Sequence, residues 1–148
     1  MHPTAARVQE RLRERGLDVV VTVPDASTRT AAEAAAAIGC EVGQIVKSLV
    51  FLRGEEPTVV LCAGDRRVDA TRLGLRAATA EQARAATGFA IGGIPPLGHE
   101  RELDTVFDVS LRRFETVWCA AGTPRAIFEV PTEALIEAIP GVRVEDVS

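Results

Sequence analysis

Excess positive charge, a signal peptide and long apolar runs are all missing from this chain. The net charge is −4, which excludes broad, sequence-independent binding to nucleic acid but leaves room for a small local contact. No apolar run approaches the roughly 20 residues that a membrane-spanning helix needs. The charged N-terminal stretch also lacks the apolar segment of a signal peptide, so we expect a soluble, cytoplasmic protein with no membrane or DNA partner.

Cysteine and histidine are too few for the commonest site chemistries. The three cysteines, Cys40, Cys62 and Cys119, lack CxxC spacing, so neither a disulfide framework nor a zinc site is supported, and we expect no metal. His2 and His99 come without a GxSxG string, which leaves a serine triad unsupported. A pair of His99 with Cys62 or Cys119 stays open, although cysteines in apolar strands are usually inert.

The chain is predicted to form one domain over residues 1–148, because 148 residues are too few for two ordinary domains. Capping residues and apolar spacing predict helices over 4–15, 30–39, 69–75, 79–88 and 131–138. Alternation predicts strands over 18–23, 45–52, 58–62, 89–91, 105–109, 116–121 and 125–130. Strands 45–52 and 58–62 should form a hairpin. Tight turns with irregularly placed helices favour an α/β fold of the α+β kind, with a mixed, mostly antiparallel sheet.

The run from Ile45 to Leu52 is the strand-like segment that carries the chain's rarest cation. Lys47 is the only lysine among 17 lysines and arginines. Alternate residues of a strand face opposite sides, and both sides of this run are largely apolar, as in a central strand that is covered twice. The ammonium group is therefore expected in a cleft or barrel mouth, or else at a frayed strand end from which it reaches water.

A second unusual segment is GGIPPLGH, over residues 92–99. Gly92 and Gly93 can present bare backbone N–H groups to a ligand, and the two prolines stiffen the loop. This suits contact with an oxyanion or phosphate, although the spacing is not that of a P-loop or Rossmann fingerprint. A plain connecting loop is the alternative. If Lys47 lines the same hollow, a fixed cation and backbone donors could stabilise developing negative charge without a protein nucleophile.

Four segments in fixed order carry a family resemblance: STRTAAEAAAAIGCEVGQIVKSLVF, AGDRRVD, GFAIGGIPPLGH and RRFETVWCAAGTPRAIFEVPTEALIEAI. They cover nearly the whole chain. Together they resemble the YbaK/ProX family, the freestanding relatives of the editing domain inserted in bacterial prolyl-tRNA synthetases. The resemblance implies a mixed, barrel-like sheet flanked by helices.

The resemblance also implies an activity, the hydrolysis of the ester between a wrongly attached amino acid and the terminal adenosine of tRNA, without a cofactor. It implies that Lys47 contacts substrate near the CCA end, and that Gly92 and Gly93 hold the scissile carbonyl and the water. The further residues assigned to substrate binding are Thr30, Ser48, Gly64, Asp65, Ile94, Pro96, Gly98, His99 and Gly122. The implied partner is the CCA end of a mischarged tRNA, with an aminoacyl-tRNA synthetase as an open addition.

One departure from the family pattern leaves the amino acid unassigned. Members that clear cysteine from prolyl-tRNA have an aspartate in a GLDIE-like string, whereas this chain has RAIFE, with Ile127 at that place. Alanine, serine, threonine and small non-protein amino acids stay open. Two rival classes stay open as well: a non-catalytic module that binds the CCA end or an aminoacyl-adenosine, and a cysteine-dependent hydrolase.

Overall fold

A β-hairpin forms the centre of the structure, a computed structural model that describes residues 1–148. Strand β1 (Val46–Arg53) pairs antiparallel with β2 (Glu56–Ala63), so the predicted hairpin is confirmed. Gly54 lies in the connecting turn with a φ of 63°, a left-handed conformation that glycine adopts without strain. Val46 lies opposite Ala63 at the open end of the hairpin.

The hairpin is extended into a five-stranded sheet of order β3-β1-β2-β4-β7. The added strands are β3 (Arg76–Ala77), β4 (Asp104–Asp108) and β7 (Arg143–Glu145). Strand β3 is antiparallel to β1 but pairs only with its far end, at Phe51 and Leu52. Strands β4 and β7 continue the sheet in parallel. Most of the outer edge of β1 is therefore left without a partner in this sheet.

A second sheet pairs β5 (Thr116–Ala120) antiparallel with β6 (Ile127–Pro131). A single bridge between Ile45 and Trp118 links the two sheets. The predicted mixed, mostly antiparallel α/β fold is confirmed. The sheets are not closed into a barrel, because the outer strands β3 and β7 do not pair with each other.

Four helices flank the sheets, and two 3₁₀ turns precede β1 and β5. The helices are α1 (Pro3–Glu14), α2 (Ala31–Ile38), α3 (Ala80–Thr87) and α4 (Thr132–Ala138), and the turns are Val42–Gln44 and Val109–Arg113. Thr30 caps α2 by accepting from the backbone N–H of Glu33 at 3.0 Å, and Thr79 caps α3 in the same way. Both helices end at a left-handed glycine, as predicted. None of the helices is long and apolar enough to cross a membrane.

The predicted strand at 18–23 is wrong. This segment makes only one bridge, between Thr22 and Ile127. The backbone N–H of Val21 donates to the side chain of Gln9 at 2.8 Å instead of to a neighbouring strand. A β-branched run had the right composition, but α1 supplied the hydrogen-bond partner that a strand would have given.

Two shorter predicted elements are also wrong. Residues 89–91 form no strand, and the Phe89 N–H donates to the Thr87 hydroxyl at 3.1 Å. Residues 69–75 fold into turns rather than a helix. Strands β3 and β7 were not predicted, since two or three residues are too few to show alternation.

The main core lies between α1 and the two sheets. It is a cluster of 27 buried hydrophobic residues that reaches β1 through Val46 and Val50. A smaller cluster, which includes Cys62 and Val106, covers the opposite face, where Leu49 packs against it. Strand β1 is thus covered on both faces, as its apolar pattern predicts.

Candidate active site at the edge of strand β1

A cavity of about 350 Å³ opens along the part of β1 that β3 leaves unpaired. Its lining residues are 28–31 and Ala34 around the start of α2, 45–49 around the start of β1, Ile91, Gly92 and Ile94, Trp118–Ala120 of β5, and Pro124 with Ile127. Most of these residues are hydrophobic, with few polar groups among them. That composition is typical of a site for a small ligand. We call this the Lys47 cavity.

Lys47 is held in place rather than left free in solvent. It is the second residue of β1, half-buried, and its Nζ donates to the carbonyl oxygen of Arg66 at 2.6 Å. An ammonium group has three donors, so the bond to Arg66 leaves two for a ligand. Arg29 is the other cationic residue that lines the cavity, and no carboxylate or imidazole does.

Ser48 has an unused hydroxyl. Its Oγ is buried and has no hydrogen-bond partner, while the residue lines the Lys47 cavity. A buried polar group without a partner costs about 1–3 kcal/mol. Ser48 is therefore a group whose hydrogen bond a bound ligand can complete.

Two threonines shape the wall opposite β1. The Thr28 hydroxyl donates to the carbonyl oxygen of Pro124 at 2.6 Å, which ties the segment before α2 to the turn before β6. Thr30 lines the cavity, as expected from the sequence, but its hydroxyl is engaged as the cap of α2. Its contribution is to position the start of α2.

The glycine loop reaches the Lys47 cavity through Gly92 and Ile94. The N–H of Gly93 is already used, because it donates to the carbonyl oxygen of Ala90 at 3.1 Å. A Cβ on Gly93 would lie 2.8 Å from the Cα of Thr123, so this glycine is needed for close packing. Gly92 and Ile94 donate no backbone hydrogen bond within the chain. Of the two glycine N–H groups expected to face a ligand, that of Gly93 is therefore engaged within the chain, and a contact of the Gly92 N–H with a ligand stays a prediction.

Gly64 and Asp65 lie behind the cavity wall rather than in it. Gly64 packs against the 3₁₀ turn that precedes β1, so closely that a Cβ would overlap the carbonyl oxygen of Val42. The Asp65 carboxylate accepts two hydrogen bonds from Arg113, at 2.8 and 3.0 Å. These bonds hold the pKa of Asp65 below its usual range. Both residues support the loop whose Arg66 carbonyl fixes Lys47.

Pro96, Gly98 and His99 do not line the Lys47 cavity but a separate small one beneath the loop. The His99 Nε2 lies 2.8 Å from the carbonyl oxygen of Pro95, and burial lowers the pKa of His99. Arg11 of α1 donates to the carbonyl oxygen of Gly98 at 2.9 Å. These contacts brace the loop against α1.

Gly122 likewise lies outside the Lys47 cavity. Its N–H donates to the carbonyl oxygen of Gly93 at 2.8 Å, and its φ of 93° is left-handed. A Cβ there would lie 2.9 Å from side-chain carbons of both Thr4 and Val8. The residue lets the glycine loop, the turn before β6 and α1 meet.

Trp118, Cys119 and Ile127 line the cavity although none of them was predicted to bind substrate. Ile127 stood out only as the departure from the family's aspartate. Trp118 and Cys119 reach the cavity through the bridge between β5 and β1, and Ile127 reaches it because β6 pairs with β5. Local sequence does not reveal these long-range contacts. Burial raises the pKa of the Cys119 thiol, and burial raises that of Cys62 to about 11. Little thiolate is present at neutral pH, which argues against a cysteine-dependent hydrolase.

Known proteins share both the fold and this site region. The family described as the aminoacyl-tRNA editing domain matches residues 25–138. A solved structure of a candidate trans-editing enzyme for prolyl-tRNA synthetase has a TM-score of 0.92 and 47% identity, covering 100% of this chain and 98% of that chain. The uncharacterised protein YwhH of Bacillus subtilis is 35% identical over 125 residues, 79% of each chain. A proline–tRNA ligase of Nitratidesulfovibrio vulgaris is 34% identical over 83 residues, which are 51% of this chain and 14% of the ligase.

The matched segment contains every residue that lines the Lys47 cavity. It also contains strands β1 to β6 and helices α2, α3 and α4. The chain belongs to the family of aminoacyl-tRNA editing domains.

Proposed function

We propose that this protein is a trans-acting aminoacyl-tRNA deacylase, which hydrolyses the ester between a small amino acid and the terminal adenosine of a mischarged tRNA. The observation that carries the proposal is that Lys47 and Gly92, 45 residues apart, line one apolar cavity. The similarity to a candidate trans-editing enzyme for prolyl-tRNA synthetase supports an activity outside the synthetase itself. Mischarged prolyl-tRNA is therefore the first substrate class to test.

An aminoacyl ester is already activated, so the enzyme needs only to orient water and stabilise the tetrahedral oxyanion. In the proposed reaction the Gly92 N–H donates to the carbonyl oxygen as it gains negative charge. The two free Lys47 donors bind a phosphate or orient the adenosine end. Water adds to the carbonyl carbon, the ester C–O bond breaks, and the departing ribose oxygen takes up a proton.

A hydroxyl of the tRNA relays the proton in this scheme, since it accepts a proton from the attacking water and passes its own to the departing ribose oxygen. No carboxylate or imidazole lines the Lys47 cavity, so the chain offers no ordinary general base there. The cysteine that lines it, Cys119, is fully buried with a raised pKa. A substrate hydroxyl next to the ester is the group that remains.

The cavity favours a small and largely apolar amino acid. Ile127 lines it at the place where the cysteine-clearing members carry an aspartate, and Ile45, Ile94 and Trp118 add further apolar surface. One methylene group changes binding by only about 1–3 kcal/mol. We therefore expect overlapping activity on several small amino acids rather than strict selection of one.

The test is a panel of mischarged tRNAs, each incubated with pure protein and scored for released amino acid. Lys47→Ala should lower the rate on the best substrate by about 10- to 100-fold, the loss expected when a hydrogen bond worth about 1.5–3 kcal/mol to a charged group is removed. Lys47→Arg should also be impaired, because a planar guanidinium does not replace a compact ammonium. Arg53→Ala is the matched control, since Arg53 is an exposed cation at the other end of β1.

Near-wild-type rates for Lys47→Ala on every tRNA would remove Lys47 from the mechanism.

The absence of an ordinary base in the cavity favours one rival, a module that binds the CCA end without hydrolysing it. Tight binding of tRNA with no release of amino acid above the spontaneous rate would establish that rival and overturn the proposed activity.

A further inference from the structure

A second cavity, of about 750 Å³, adjoins the Lys47 cavity. Pro124 lines both, and the consecutive residues Ala90 and Ile91 line the second and the first cavity respectively. The wall between the cavities is thus formed by the glycine loop and the turn before β6. A ligand that extends out of the Lys47 cavity across this wall enters the second one.

Three arginines converge on the second cavity, which we call the arginine cavity. Arg7 comes from α1, Arg84 from α3 and Arg125 from the turn before β6, and no carboxylate lines the cavity. All three side chains belong to exposed residues without a hydrogen bond or ion pair in the chain. Several other arginines are paired, as Arg112 is with Glu133. Arg15, Arg29, Arg67 and Arg101 are also unpaired, but they do not line this cavity. In a protein of net charge −4, this is a local concentration of unneutralised positive charge.

Free guanidinium groups around a cavity match phosphate chemistry. Each guanidinium presents a planar fork of donors that binds phosphate oxygens bidentately, and its charge persists at any physiological pH. Apolar surface lies beside the arginines, since Val23 lines this cavity at 50% exposure and Ile91 stands on the wall at 57% exposure. Alternating charge and apolar surface suit the phosphates and bases of a single-stranded nucleotide chain.

We infer that the arginine cavity binds the phosphodiester backbone of the single-stranded nucleotides that precede the terminal adenosine of the tRNA. The inference rests on the proposed function, which puts the aminoacyl end in the Lys47 cavity. It names the part of the substrate that lies next to the reacting ester. It also explains how an acidic chain takes up a polyanion, through one local contact.

The test measures binding of a short single-stranded RNA that ends in cytidine, cytidine and adenosine and carries no amino acid. The double variant Arg84→Gln, Arg125→Gln should raise the Kd at least tenfold, as expected for lost hydrogen bonds between charged groups. The slope of log Kd against log salt should fall by about 1.4, or about 0.7 for each lost phosphate contact. Arg76→Gln is the matched control, because Arg76 is an exposed arginine on strand β3 that does not line the arginine cavity.

An unchanged Kd and an unchanged salt slope in the double variant would overturn the inference. Equal displacement of the RNA by inorganic phosphate at the same phosphate concentration would also overturn it, since the cavity would then be a general anion site. Unfolding midpoints within error of wild type, expected because both residues are exposed, show that the double variant is folded.

Hydrolysis assays separate this inference from the proposed function. On mischarged tRNA the double variant should show a raised KM with little change in kcat, whereas on an aminoacyl-adenosine, which has no preceding phosphates, it should match wild type. If wild type hydrolyses neither compound but binds RNA through the arginines, the proposed function fails and the inference stands. If wild type hydrolyses both and the double variant matches it on both, the inference fails alone.

Discussion

Ser48 and Ser110 are the two half-buried residues whose hydroxyl oxygen is buried and has no hydrogen-bond partner. They differ in their surroundings, since Ser48 lines the Lys47 cavity while Ser110 lies in the 3₁₀ turn that precedes β5. The same chemical defect is therefore present at a candidate site and away from it. This pair lets a functional hydroxyl be told apart from a structural one.

Replacing Ser48 with alanine should separate stability from activity. The free energy of unfolding should stay within about 1 kcal/mol of wild type or rise, because the change removes a buried hydroxyl that has no partner. Deacylation should fall by about tenfold if that hydroxyl completes its hydrogen bond on the substrate. Urea unfolding and the release of amino acid from the best mischarged tRNA measure the two effects.

Ser110→Ala is the matched control. It should show the same small effect on unfolding and leave deacylation unchanged, since Ser110 does not line the Lys47 cavity. Equal activity of the Ser48 and Ser110 variants would show that the Ser48 hydroxyl makes no contact with substrate.

At the scale of single residues, the sequence pointed to Lys47 by its rarity and by its apolar neighbours. It could not indicate that the Arg66 carbonyl holds the ammonium group, because that contact spans 19 residues and its acceptor is a backbone oxygen, which any residue type supplies. It also could not indicate which of the two glycines, Gly92 or Gly93, keeps a backbone N–H without a partner in the chain. Which N–H remains free depends on a turn to Ala90 that glycine spacing does not encode.

At the scale of elements, the close approach of Gly64 to the 3₁₀ turn before β1 sets the back wall of the Lys47 cavity. A Cβ on Gly64 would lie 3.0 Å from the Cβ of Ala31 and 3.2 Å from the carbonyl oxygen of Ile45, besides overlapping the Val42 carbonyl. Ala31 and Ile45 both line the cavity. Any relief of this crowding must move β1, α2 or the turn.

Gly64→Ala should therefore lower the free energy of unfolding by about 2–3 kcal/mol, the usual cost of overpacking a close contact. Gly54→Ala is the comparison, because Gly54 has a left-handed φ of 63° but no atom within 4 Å of an added Cβ. It should cost only about 1 kcal/mol, from backbone strain alone. Urea midpoints measure both, and equal costs would show that the contact at Gly64 is readily relieved.

Elements with a local signal were predictable and those with a long-range cause were not. The caps Thr30 and Thr79 and the hairpin of β1 and β2 follow from spacing within a few residues. The run at 18–23 has strand composition, yet α1 satisfies the Val21 N–H through Gln9. Closure into a barrel depends on which strands meet at the edges, and only the bridge between Ile45 and Trp118 joins the two sheets.

At the scale of the whole molecule, the position of Lys47 depends on an ion pair that links distant segments. Arg113, in the 3₁₀ turn before β5, donates to the Asp65 carboxylate at 2.8 Å across 48 residues of sequence. The next residue, Arg66, accepts from Lys47 through its carbonyl oxygen. The ion pair thereby connects the end of β2 and the 3₁₀ turn before β5 with the loop that holds Lys47.

This connection gives a pH dependence whose sign follows from the Asp65 pKa. The hydrogen bonds from Arg113 lower the pKa of the folded carboxyl below its unfolded value, which is about 3.9 for aspartate. The stabilisation is therefore fully present above about pH 4 to 5 and is lost as the pH falls through the lower, folded pKa. Both side chains are more than a third exposed, at 37% and 39%, so solvent screening limits the contribution to about 0.5–1 kcal/mol.

Asp65→Asn should remove this part of the acid dependence. Its free energy of unfolding should lie below that of wild type by about 0.5–1 kcal/mol at pH 7 and converge with it as the pH falls through the folded pKa of Asp65, below which the wild-type carboxyl is also neutral. Asp25→Asn is the control, since Asp25 is exposed and makes no ion pair or hydrogen bond, and it should follow the wild-type curve. At pH 7 Asp65→Asn should also slow deacylation, because the loop that fixes Lys47 loses its support. Parallel unfolding curves for wild type and Asp65→Asn across this pH range, with equal deacylation rates, would show that the pair neither stabilises the fold nor positions Lys47.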